Sequence, residues 1–166
     1  MSVLRVLKRI RPVAIVRLTA AVSLFAVGAV HIQQYAVNNY STVPTIGPLF
    51  LVNFIGGTVL GFYFLIPAGP HRGRLRSRID TAAALTGLAV AGGALVGLLV
   101  SEHTPLFGFM EHGYRFAIQF AIGSEGAAIV ALAALLLLNR RAARGEQESR
   151  SRKGTLTLVR PADSPS

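Results

Sequence analysis

Residues 116–138 read FAIQFAIGSEGAAIVALAALLLL, and the run is closed by Asn139, Arg140 and Arg141. A bilayer's hydrocarbon core takes about 20 mostly apolar residues as a helix. The stretch has that length, holds a single charged residue, Glu125, and lacks the alternation of a barrel strand. It reads as a membrane span. Working outward, three more runs have the same character: 13–36 (VAIVRLTAAVSLFAVGAVHIQQYA), 48–66 (PLFLVNFIGGTVLGFYFLI) and 81–100 (TAAALTGLAVAGGALVGLLV). Helix breakers fall between them: Pro44, Gly47 and Pro48, then Pro67, Gly69 and Pro70, then Pro105 and Gly108. The expected fold is all-α, a four-helix transmembrane bundle.

Composition agrees. Of 166 residues, 52% are hydrophobic and 14% charged, with a mean hydropathy of +0.52. Soluble domains carry about a quarter charged residues, so the composition argues against a soluble globular enzyme. With no cysteine in the sequence, a disulfide scaffold, a thiolate-held cluster and a Cys nucleophile are excluded too.

Charge placement orients the bundle. Arg5, Lys8, Arg9, Arg11 and Arg17 flank or enter the first span, and Arg72, Arg74, Arg76 and Arg78 separate spans two and three. Arg140, Arg141, Arg144, Arg150, Arg152, Lys153 and Arg160 follow the fourth. Of the 17 basic residues, only Arg115 falls on the other side. By the positive-inside rule both termini are expected to be cytoplasmic, and the protein in the cell membrane. The same clusters explain the +10 net charge without nucleic acid. They suit anionic lipid head groups on that side, with Arg72, Arg74, Arg76, Arg140 and Arg141 nearest the surface. Arg17, about one turn inside span one, is expected to snorkel back to the surface.

Residues 1–12 are expected to be a basic, interfacial N-terminus, with Val3, Leu7 and Ile10 on one helical face. Residues 139–166, rich in Arg, Ser, Glu, Gly and Pro, are expected to be a disordered basic cytoplasmic tail. Val27-Gly28-Ala29 also resembles a signal-peptide cleavage site. An uncleaved span is preferred, because the apolar run begins at Val13 and continues past Ala29 to Ile32.

Small residues mark where helices can approach. Gly57 and Gly61 are spaced G-x-x-x-G, and Ala89, Gly93 and Gly97 recur every four residues. Both are expected to form packing seams, within the chain or with another copy or a membrane-protein partner.

Polar residues inside the spans gather toward the end opposite the basic clusters: His31, Gln33, Gln34, Asn53, Gln119, Ser124 and Glu125. An ionisable side chain at membrane depth is costly and by default a functional candidate. Glu125 has Ala121 and Ala128 on its helix face, so it is expected to point into a seam, with His31 or Arg115 as partner. The candidate ligand or proton-handling residues are Glu125, His31, Tyr35, Asn53 and Gln119. His31, His103, Glu111 and His112 are the residue types that could hold a metal or haem, but no metal-ligand spacing links them. The sequence leaves any cofactor unknown, and no catalytic set is recognisable.

The stretch His31 with Tyr35, then Val43-Pro44-Thr45-Ile46-Gly47 leading into Leu49-Phe50-Leu51 and Asn53, resembles small four-helix membrane proteins of actinobacteria. Leu106-Phe107-Gly108-Phe109 with Glu111 fits the same pattern, and Arg outnumbers Lys as in GC-rich genomes. The resemblance implies the topology and no particular chemistry. The residues leave three readings open. The first is a non-enzymatic accessory or scaffold subunit acting through helix contacts. The second is a small proton-coupled transporter using Glu125 and His31. The third is a metal-, haem- or quinone-binding redox protein.

Overall fold

The computed structural model describes residues 12–67, 74–108, 110 and 116–158. Within these, every regular element is helical: α1 (Pro12–Val37), a short 3-10 turn (Tyr40–Thr42), α2 (Ile46–Leu65), α3 (Arg74–Ser101) and α4 (Phe116–Leu158). All four α-helices are long and apolar enough to cross a membrane. Their outward faces carry large hydrophobic side chains such as Leu18, Val22, Val59, Phe62, Val96 and Val130. In water such faces would collapse or aggregate, whereas in lipid they meet their own kind.

The helices form a ring in chain order, running alternately up and down. α1 packs most extensively on α2 and α4, α3 packs on α4, and α2 touches α3 least among neighbours. α1 ends at Val37 and is followed by Asn39 in the left-handed conformation (φ 60°), which Asn tolerates better than most residues. Pro48 lies in the first turn of α2, where its missing N–H breaks no helical bond.

The packed core fills only one half of the ring. Leu24 and Val27 of α1, Phe64 of α2, Ala84 and Ala91 of α3, and Ala128, Leu132 and Leu135 of α4 are buried together. α1 and α2 cross closely at glycines. A Cβ on Gly57 would stand 2.7 Å from the Leu24 carbonyl oxygen, and one on Gly28 would stand 3.2 Å from that of Phe54. Gly61 lies against the Phe25 ring, so the G-x-x-x-G pair forms a seam within the chain.

Three expectations are corrected. Ala89, Gly93 and Gly97 do not form a seam: a Cβ on Gly93 would meet nothing within 4 Å, and all three residues line a void. Small side chains on one face permit either a close crossing or a hollow, and the neighbouring chain decides which. Arg17 does not snorkel. It turns inward, 4% exposed, because Asp80 at the start of α3 offers a carboxylate 3.0 Å away. Residues 139–158 are helical as the continuation of α4, where disorder was expected. Helix formation is limited by nucleation, and a span already formed extends cheaply into a segment rich in Ala, Arg, Glu and Gln. α3 likewise begins at Arg74, before its apolar run. The interfacial N-terminus expected for 1–12 lies outside the described residues apart from Pro12, which opens α1.

Candidate functional site

The half of the ring away from the core holds a half-open cavity of about 450 Å³. All four α-helices and the 3-10 turn contribute to its wall. Its walls are mostly apolar, with the polar groups of His31, Gln34, Asn53, Thr86, Ser101 and Glu125 set among them. Pockets for small organic molecules have this size and character, apolar with a few placed polar groups. The hollow follows from the small side chains of α3, where Ala89, Gly93 and Gly97 present little bulk.

Glu125 comes from α4 and His31 from α1. Glu125 is 1% exposed and His31 6%. His31 Nδ1 lies 2.8 Å from the carbonyl oxygen of Val27. A carbonyl only accepts, so Nδ1 carries the proton and Nε2 is turned to the interior. Nε2 stands 3.8 Å from Glu125 Oε1, close for electrostatics and too long for a hydrogen bond. Glu125 Oε2 is buried without a hydrogen-bond partner among the described residues. A buried carboxyl oxygen without a hydrogen-bond partner is costly and calls for an explanation.

Above this pair runs an aromatic wall. The His31 and Phe50 rings lie 5.0 Å apart, and the Phe50 and Tyr40 rings stack at 5.1 Å. Gln34 also faces the cavity and is held by neighbours: its Nε2 donates to Gln33 Oε1 at 2.9 Å, and Asn38 Nδ2 donates to its Oε1 at 2.8 Å. Ser101 and Ser124 turn their hydroxyls back onto their own helices, at Leu98 and Ala121.

Of the residues singled out from the sequence, His31, Asn53 and Glu125 line the cavity together. Tyr35 is half-buried and outside its lining, and Gln119 is exposed on the outer side of α4. Gln119 follows the cavity-lining Ile118 by one residue, about 100° around the helix, a distinction that depth along the span does not carry. His103 is exposed, its Nδ1 2.9 Å from the Leu99 carbonyl oxygen. Glu111, His112 and Arg115 lie outside the described residues. Among the described residues no three His, Cys, Asp or Glu side chains gather as a metal would require.

A second polar cluster closes the opposite end. Asp80 is fully buried and takes hydrogen bonds on Oδ1 from Arg17 Nη1 at 3.0 Å and from the Tyr63 hydroxyl at 2.7 Å. Arg76, one turn earlier on α3, brings Nε to 3.6 Å from the same oxygen and lies over the Tyr63 ring. Arg17 Nη2 also donates to the carbonyl oxygens of Tyr63 and Ile66, which satisfies the end of α2. The cluster therefore ties α1, α2 and α3 together where the core begins. Arg76 is partly spent in it, whereas Arg140 and Arg141 are exposed and Arg72 lies outside the described residues. Asp80 and Tyr63 are not among the candidates that the sequence singles out. The available signal was one acid directly after four arginines, opposite an arginine already inside a span.

No protein-family model matches the chain, and no curated protein or solved structure is detectably similar to it.

Proposed function

We propose that the chain is a multi-pass protein of the cell membrane, with both termini cytoplasmic, that holds a small, largely apolar molecule in its half-hollow bundle. The molecule's polar group meets Glu125 and His31. One observation carries this reading: a buried carboxyl oxygen without a partner, on the wall of an apolar cavity of about 450 Å³. A bundle that needed only stability would have filled that space, since each unfilled methyl-sized void costs about 1 kcal/mol. The orientation is supported by the basic residues, 16 of the 17 lying on one side of the four runs.

The densely packed core between Glu125 and Arg17 favours holding a molecule over conducting one. Native mass spectrometry of the protein released gently from its own membrane tests the reading. A small organic adduct is expected, lost when Gly93→Phe fills the cavity. A bare chain from every preparation, with no uptake of added lipophilic dyes, would overturn it.

The accessory-subunit reading retains one specific support. Gly123 and Gly126 on α4 have nothing within 4 Å, beside the exposed Phe120 and Val130, so another helix can approach closely there. A second polypeptide in the same spectrum would favour that reading.

A further inference from the structure

The lining of the cavity also specifies the charge of its occupant. Among the described residues Glu125 is its one acidic lining residue, and none of them that line it is Arg or Lys. The titratable groups facing Glu125 come from few elements. α1 presents His31, the 3-10 turn presents Tyr40, and the cavity-facing residues of α2 and α3 are uncharged. A bound anion would meet a carboxyl group with no fixed cation among the described lining residues to offset it.

A cation finds two complementary features. Glu125 Oε2 lacks a hydrogen-bond partner among the described residues, and the stacked Phe50 and Tyr40 rings line the same cavity, with Phe50 against His31. Aromatic faces attract cations through their quadrupole, and more strongly when water is excluded. Apolar walls then select cations with a large hydrocarbon surface over hydrated inorganic ions, which give up their water reluctantly. We propose that the cavity is a binding site for a lipophilic organic monocation, a quaternary onium or hydrophobic amine, with Glu125 as counter-ion and Phe50 as the aromatic face. The proposal rests on the cavity-binding reading above and adds the charge of the ligand.

The test compares two probes on the full chain in neutral detergent micelles: tetraphenylphosphonium, a cation, and triphenylphosphine oxide, a neutral molecule of similar shape. The cation is expected to bind more tightly. Glu125→Gln is expected to weaken it by about tenfold or more, the size of one charge-assisted contact, while leaving the neutral probe unchanged. Phe50→Leu is expected to weaken the cation by about threefold and spare the neutral probe. If neither probe binds the native chain, the cavity reading itself fails. If both probes bind and Glu125→Gln treats them alike, the cavity stands and the cation assignment is overturned. Should Glu125→Gln lose both probes through misfolding, Phe50→Leu decides. Selective loss of the cation supports the assignment, and equal loss overturns it.

Discussion

Arg17 and Asp80, 63 residues apart in sequence, meet at 3.0 Å with almost no exposure to solvent. The pair fixes the start of α3 against the first turns of α1, and Tyr63 and Arg76 complete it from α2 and α3. Removing one member of a buried pair leaves a charge without its partner, which costs about 3–5 kcal/mol. Arg17→Leu is therefore expected to destabilise the bundle by about 3 kcal/mol, toward the low end because Arg76 remains nearby. The double variant Arg17→Leu/Asp80→Leu is expected to recover most of that loss. Unfolding in mixed micelles titrated with a denaturing detergent measures both. Additive losses in the double variant would show that the two residues are not coupled.

Two glycines, Gly57 on α2 and Gly93 on α3, make a sharper contrast. Gly57→Ala pushes a Cβ to 2.7 Å from the Leu24 carbonyl oxygen, and backbone at a helix crossing cannot yield as a side-chain tip can. A loss of about 1–3 kcal/mol is expected, the usual cost of overpacking. Gly93→Ala meets nothing within 4 Å and is expected to leave stability unchanged or raise it by up to about 1 kcal/mol through helix propensity. The same unfolding titration reads both. Equal losses would mean that the hollow beside α3 is filled in the folded protein.

That contrast marks how far the sequence could be read. Length and apolar content located all four helices, since only a membrane span needs so long an uninterrupted run. The isolation of Glu125 and His31 in apolar surroundings singled them out, and they do share a cavity. What periodicity cannot supply is the partner across the gap. Gly57 and Gly93 look alike in their spacings, yet one meets a backbone and the other a void. Asp80 does not stand out in the sequence for the same reason: its meaning depends on Arg17, which only the folded ring brings near. The disorder expected for the tail came from composition, which takes no account of the helix that precedes it.

The extension of α4 beyond the packed region gives a separable prediction. The buried positions on α4 end at Leu135, and the described side chains from Arg140 to Gly145 are exposed. Deleting residues 146–166 is expected to change the stability of the bundle by less than about 0.5 kcal/mol, as for other surface changes. Circular dichroism is expected to show a smaller helical signal in proportion to the helical residues removed, up to Leu158. An unchanged signal would mean that this stretch is not helical in the membrane-embedded protein. A large drop in stability would mean that it packs on something beyond the four helices.

The absence of cysteine makes the orientation directly measurable. Ala143, on the exposed extension of α4, and Thr104, exposed just beyond α3, lie at opposite ends of the bundle. Neither side chain is buried, so a thiol at either place can react without disturbing the core. With both termini cytoplasmic, a membrane-impermeant maleimide applied to intact cells is expected to label Thr104→Cys and to miss Ala143→Cys. Opening the membrane is expected to expose Ala143→Cys as well. The reverse pattern would put the cavity end inside the cell, and the occupant of the Glu125 site would then enter from the cytoplasmic side. Labelling of both positions in intact cells would contradict a single orientation altogether. The expected pattern follows from the tendency of Lys and Arg in short loops to remain on the cytoplasmic side, and here that bias is repeated in three separate segments.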